Sequence, residues 1–266
     1  MKSLYNYISY NKHHDKTIVD CHTHMFGQGK TMNYPYEYPI NGLICMVNNS
    51  IKHPDRSLID DFKLYINLGE VTDRKKLLCV GKDIDETLSI YNTYREKFSG
   101  FGEIKCYKKC ATTTTTLERY DTSILHAVIN KGLPVFIHWD LDGTHDEELY
   151  NIIHDNPDTT FVLCHCGINE LYDPNKSFQT AIRFQNTLLN LWLSISWVAL
   201  DYFIKDDFQS SNNKLSLIPI PDHTIVGTDF NPEMDHHNIS FEDRYKKFIK
   251  IYNKFDVPVA LNNLFS

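Results

Sequence analysis

The chain has 266 residues, of which 42% are apolar and 23% charged, with 27 basic against 34 acidic side chains and a formal net charge of −7. This is the usage of a folded globular protein with material for a sizeable core, and it excludes the high-charge, low-apolar profile of a disordered chain. It also lacks the basic footprint of a phosphate-backbone binder, so no nucleic-acid partner is expected.

From the N-terminus, "MKSLYNYISYNKHHDK" contains no apolar core followed by a small-residue cleavage site, so it does not read as a secretory signal. The first strand is expected at residues 17–21, running into "TIVDCHTHMF". Successive side chains of an extended chain point to opposite faces, which places Asp20, His22 and His24 on one face and Cys21 and Thr23 on the other. Two histidines on one face can grip one metal ion. The aromatic, proline-rich loop at 34–39, "YPYEYP", reads either as a wall over a small substrate or as a surface turn.

Further strands are expected at 43–47, 77–80, 101–106, 134–138, 161–164, 191–196 and 224–229, which makes eight. Polar segments with helical apolar spacing lie among them, such as 57–68, 85–98, 122–131, 146–156 and 241–255. The low-complexity run at 112–116 follows the fourth strand and reads as a solvated loop before a substrate contact. The longest uncharged apolar stretch, 188–200, is too short for a bilayer, which takes about 20 residues, so no membrane partner is expected. Seven cysteines without a C-x-x-C pair suggest reduced thiols in a cytoplasm. Apolar strands alternating with helices imply a parallel sheet covered by helices, and eight such units fit a closed (β/α)₈ TIM barrel of the α/β class. The alternative is a doubly wound open sheet, but no Gly-rich phosphate fingerprint follows the first strand. With no linker or internal repeat, residues 1–266 are expected to form a single domain.

A barrel of this kind builds its site at the C-terminal ends of the strands. There the chain carries His22 and His24 on the first strand, Glu103 and Lys105 on the fourth, His138 ending the fifth, His165 closing the sixth and Asp229 closing the eighth. Singly, a strand-end histidine is more often a hydrogen-bonded structural residue or an exposed loop residue than a ligand. Together they form a set of imidazoles and carboxylates suited to zinc or manganese. Such a cation with an open position activates water and polarises a carbonyl; Asp229 could take the water's proton, and His165 could position the water or donate to a developing oxyanion. Trp139, Asp140 and Ser196 lie close by and read either as substrate-side or as supporting residues. By strand alternation Cys164 and Cys166 face away from His165 and are expected in the core. His13, His14, His53, His126, His145, His154 and His223 lie off strand ends and take no role, while His236 and His237 follow Asp229 in a loop expected to be solvated.

These motifs resemble the amidohydrolase superfamily, most of all the amidohydrolase-related family that includes small decarboxylases and lactone hydrolases. "VDCHTH" is similar to that family's D-x-H-x-H first strand, "PVFIHWD" and "FVLCHCG" to its single-histidine strands, "VGTDFNP" to its G-T-D-F-P strand, and "VALNNLFS" to its terminal N-A-x-x-L-F segment. The resemblance implies a metal-dependent barrel enzyme with His22, His24, His138 and Asp229 as ligands and His165 beside the activated water. Glu103 in "GEI" also resembles the metal-dependent deoxyribonucleases of the superfamily, whose carboxylate binds metal, although "GEIKCY" lacks their G-L-D continuation. In other binuclear members a carboxylated lysine bridges, which makes Lys105 the alternative to Glu103; a third possibility is a buried Glu103–Lys105 ion pair.

The expectation is therefore a hydrolase holding one or two zinc or manganese ions and cleaving a C–N, ester or lactone bond in a small molecule. A decarboxylase would use the same ligands. A phosphoesterase or deoxyribonuclease is disfavoured by the acidic balance, and a non-catalytic metal-binding barrel would need a closed coordination sphere. A homodimer is common among such barrels by resemblance, without an interface signature in this chain.

Overall fold

The computed structural model describes residues 18–27, 30–31, 42–47, 74–78, 84–106, 122–168, 172–206, 217–229 and 240–265. Among them nine strands form one sheet: β1 (Val19–Gly27), β2 (Lys30–Thr31), β3 (Gly42–Val47), β4 (Arg74–Leu78), β5 (Gly100–Cys106), β6 (Val135–Trp139), β7 (Phe161–Leu163), β8 (Leu191–Ile195) and β9 (Thr224–Val226). Only β2 is antiparallel, folding back on the end of β1. The other eight pair in parallel, β1 with β3 and then each with the next through β9. Helices α1 (Ile84–Tyr94), α2 (Ser123–Val128), α3 (Asp146–His154), α4 (Pro174–Thr187) and α5 (Val198–Asp206) fall between successive strands, and α6 (Phe241–Tyr252) and α7 (Val257–Leu264) follow the last. The architecture is a (β/α)₈ barrel.

Local chemistry explains the elements. All five residues of β6 are buried, as in a parallel strand covered on both faces. Helix α3 buries Leu149, Ile152 and Ile153 at helical spacing, and Asp146, Glu147 and Glu148 place negative charge at its positive N-terminal end. Helix α4 starts where the Asp173 carboxylate accepts from the backbone of Asn175 and Lys176, with Pro174 at the first helical position. At α6 the Ser240 hydroxyl accepts from the Asp243 backbone at 3.0 Å. That helix returns to the start of the chain, since the Val19 backbone N–H donates to the Tyr252 hydroxyl at 3.1 Å.

Several boundaries differ from those expected. The first strand runs on to Gly27 and so carries both histidines within it. Strand β4 starts at Arg74, because pairing with β3 recruits the basic run Arg74–Lys75–Lys76, which apolar patterning passes over. Strands β7 and β9 end early, at Leu163 and Val226, and the chain beyond each turns sharply. The helix expected at 57–68, the loops at 34–39 and 112–116, and His13, His14, His53, His236 and His237 lie outside the described residues.

The seam between β9 and β1 closes through a dense set of contacts. The Asp20 carboxylate accepts from the Thr228 backbone at 2.8 Å and the Thr228 hydroxyl at 2.6 Å, and it also accepts from the His22 backbone at 3.2 Å. The Asp229 backbone in turn donates to the His22 carbonyl at 2.7 Å. So close an approach leaves no room at Gly227, where an added Cβ would lie 2.4 Å from the His22 nitrogen and 2.5 Å from its Cβ. Gly227→Ala is accordingly expected to destabilise the protein by about 2 kcal/mol or more, the scale of overpacking a filled site. Denaturant unfolding measures it; unchanged stability would show that the seam can open at no cost.

Candidate metal centre

The site is built where the strands end. On β1, Asp20, His22 and His24 share the inward face, and all three are buried. Strand β5 adds Glu103 and Lys105, and β6 adds His138. His165 follows β7 in a short turn, Cys164–Gly167, in which His165, Cys166 and Gly167 have φ of 54°, 53° and 66°. Trp197 after β8 and Asp229 after β9 are also left-handed, at 45° and 55°. Left-handed conformations of non-glycine residues cost about 1–3 kcal/mol each and persist only where the surroundings enforce them. Here they turn the chain back over the barrel mouth directly after three successive strands.

Glu103 occupies the centre. Its Oε1 lies 2.8 Å from His138 Nδ1, 3.1 Å from His165 Nε2 and 3.8 Å from His22 Nε2. Its Oε2 lies 3.7 Å from His24 Nε2 and 3.6 Å from Lys105 Nζ. Asp229 Oδ1 sits 3.2 Å from His22 Nε2 and 3.1 Å from His24 Nε2. Three triads offer ligand atoms within 4.8 Å of one another: His22, His24 and Glu103; His22, His165 and Asp229; Glu103, His138 and His165. All six residues expected at the site therefore come together, and Lys105 pairs with Glu103 at the edge of the group.

The donor chemistry fits a divalent cation. His22 Nε2 and His24 Nδ1 are buried without an aligned hydrogen-bond partner among the described residues, and neutral imidazole with carboxylate oxygen is a ligand set for zinc or manganese. The ionisable groups of the cluster shift one another strongly. Burial opposes the charge on Glu103, but His138 and then Lys105 outweigh it and hold the carboxyl well below its usual range. Burial likewise opposes ionisation of Asp229, and His22 overcomes it and keeps the group anionic. For His138 the Glu103 charge prevails over burial and pushes the imidazole up to about 10. His22 is raised in the same manner, chiefly by Asp229. His165 goes the other way: burial pushes it down to about 4, so it is neutral and keeps a lone pair.

Cys164 and Cys166 both join the hydrophobic core, as expected. The chain leaves the strand at Leu163, so strict alternation stops there. Both Cys164 and Cys166 are fully buried, as expected, and Cys166 Sγ lies 3.6 Å from the Ser194 carbonyl. Trp139 is fully buried in the hydrophobic core, whereas Asp140 lies 3.6 Å from His138 Nε2. His126 is exposed, His145 pairs with Glu148, His154 with Asp155, and His223 stacks on Trp192, all outside the cluster. Sequence reading missed Ser194, whose hydroxyl lies 3.5 Å from His22 Nδ1, and the Asp20–Thr228 staple. The inward phase of β8 pointed to Ser194, since it stands two residues before Ser196; no signal in the sequence pointed to the staple.

A family model described as amidohydrolase matches residues 92–261. No curated protein matches the chain in sequence. Among solved structures, an amidohydrolase from Burkholderia multivorans with bound HEPES is 12% identical, with a TM-score of 0.59 over 94% of this chain and 96% of that one. A probable 2-pyrone-4,6-dicarboxylic acid hydrolase from Acinetobacter baumannii with citric acid bound is also 12% identical, with a TM-score of 0.56 over 89% and 92%. A dihydroorotase is 14% identical, with a TM-score of 0.52 over 93% of this chain and 69% of that one. These likenesses show the shared fold.

The raised histidines set a pH dependence. The stabilisation His138 gains from Glu103 is complete below its ordinary value near ~6.5 and is lost as pH rises through about 10. At neutral pH a cation must therefore displace that proton. Zinc affinity, measured by chelator competition from pH 6.5 to 8.5, is expected to rise about tenfold per pH unit for each proton released. An affinity flat across that range would contradict the proton-held cluster.

Proposed function

The chain belongs to the amidohydrolase family, and we propose that it is a metal-dependent hydrolase of small molecules bearing an amide, ester or lactone carbonyl. The observation that carries this reading is the convergence of His22, His24, Glu103, His138, His165 and Asp229, drawn from the ends of five strands, within ligand distance of one another. His22, His24 and Asp229 would hold one zinc or manganese ion, and His138 and His165 a second, with Glu103 common to both. A cation there would supply water activated towards a pKa near ~7 and a Lewis acid for the carbonyl.

The chain's own groups do the rest. Asp229 is anionic and lies at the mouth, so it can accept a proton from the attacking water and pass it to the leaving group. His165, with Nε2 beside Glu103 and Nδ1 beside Ser196, would serve as a ligand, which leaves proton handling to Asp229. Asp140 lies beside His138 and steadies it. Lys105 is 30% exposed at the edge of the cluster, where its ammonium can meet an anionic end of the substrate. The dicarboxylic acid named for the Acinetobacter baumannii protein makes carboxylated lactones a rational first set to test alongside amides and neutral esters.

Protein stripped with chelator and reloaded with zinc or manganese is expected to hydrolyse members of that set. Asp229→Asn should lower kcat by roughly 10²–10⁴-fold, the contribution of a positioned acid–base group, and His22→Ala with His24→Ala should abolish metal uptake. Release of carbon dioxide without hydrolysis would convert the reading to a decarboxylase on the same ligands. Full activity of the double histidine variant would remove the metal from the reaction.

A further inference from the structure

Behind the cluster stand two hydroxyls, Ser194 on β8 and Ser196 directly after it. Ser196 Oγ lies 2.9 Å from His165 Nδ1 and 3.3 Å from His22 Nδ1, so one hydroxyl meets two rings that arrive from different strands. Ser194 Oγ lies 3.3 Å from Ser196 Oγ and 3.5 Å from His22 Nδ1. All four side chains are fully or almost fully buried, which shuts bulk water out.

The backbone fixes where the Ser196 hydroxyl stands. On one side the Ile195 carbonyl accepts from the Gly227 N–H at 3.0 Å, and on the other the Ser196 carbonyl accepts from the Ala199 N–H at 3.0 Å, where α5 begins. Trp197, left-handed in between, sets its ring edge-on to the His165 ring with centroids 5.5 Å apart.

Hydrogen-bond capacity then decides what this serine can do for a bound cation. His22 turns Nε2 towards Asp229 and His165 turns Nε2 towards Glu103, so these are the nitrogens that would ligate. An imidazole that ligates through one nitrogen carries its hydrogen on the other. Two Nδ1–H groups therefore meet Ser196, whose oxygen has two lone pairs to accept them and whose own hydrogen can go to Ser194 Oγ. His24 has no such support, since its Nδ1 is buried without an aligned hydrogen-bond partner among the described residues.

We propose that Ser196 is a positioning residue shared by two metal ligands: its hydroxyl accepts from both His22 and His165, holds their Nε2 atoms towards Asp229 and Glu103, and so ties a ligand of one ion to a ligand of the other. Ser194 completes the arrangement by taking the Ser196 hydrogen. The inference rests on the proposal that both histidines ligate through Nε2. It goes further in assigning the placement of two rings to one side chain.

The test uses the whole chain with ¹⁵N-labelled histidine, zinc as the probe, and two readouts: chelator competition for affinity, and ¹H–¹⁵N spectra of the zinc-loaded protein for the imidazole N–H groups. Wild type is expected to show Nδ1–H signals from both His22 and His165. Ser196→Ala removes their common acceptor, so both signals should move and zinc affinity should fall about 10–100-fold, the usual cost of losing such a supporting contact. Ser196→Thr keeps a hydroxyl and should restore most of the affinity, and Ser194→Ala, which leaves Ser196 in place, should cost less than Ser196→Ala. Circular dichroism checks that each variant is folded. Ser196→Ala that binds zinc as tightly as wild type, a loss that Ser196→Thr does not restore, or movement of only one of the two signals overturns the shared role and leaves the metal reading standing. Wild type that takes up no zinc overturns both.

Discussion

A carboxylate that is 2% exposed, ringed by four imidazoles and an ammonium, governs the rest of this molecule. An ionised group buried without compensation would cost several kcal/mol, so Glu103 requires partners, and the fold supplies them from β1, β5, β6 and the turn after β7. Protons on His138 and His22, whose imidazoles are both raised, provide balancing charge. On the proposed reading a divalent cation would replace those protons with a stronger and better directed charge. The same carboxylate would thereby link the stability of the barrel mouth to its readiness to bind metal.

The geometry of that ring depends on how the barrel shuts. Asp20 and Thr228, 208 residues apart in sequence, hold β1 against the chain after β9, and the neighbouring Asp229–His22 backbone bond fixes the left-handed turn that points the Asp229 carboxylate at His22 and His24. Strain at the mouth is offset by bonds at the seam. Ser194 and Ser196 do for the rear of the histidine rings what Glu103 does for the front: each nitrogen of His165 has a defined partner, which confines the ring to one plane.

Much of this was legible in the sequence wherever a periodic rule applied. The two-residue spacing in "TIVDCHTHMF" placed His22 and His24 on one face, and recurrent histidines and acids at strand ends predicted the convergence. The rule lost force where the chain left the strand, so the left-handed turn that carries His165 after Leu163 was not foreseen. Charge misled at β4, whose basic start pairs with β3 as a regular strand. The Asp20–Thr228 staple was invisible because it joins opposite ends of the chain through side-chain bonds that no local pattern encodes. Helix α4, by contrast, announced itself through Asp173 and Pro174, a capping acid followed by proline.

The central claim is that one buried glutamate organises a cation site from these strand ends. Anomalous diffraction at the zinc edge, from crystals of the full chain grown with zinc, addresses it directly. Density is expected beside Glu103, with His22 and His24 on one side and His138 and His165 on the other, at ligand distances of about 2.0–2.2 Å. No anomalous density within reach of Glu103, in crystals whose zinc binds elsewhere, would contradict the account.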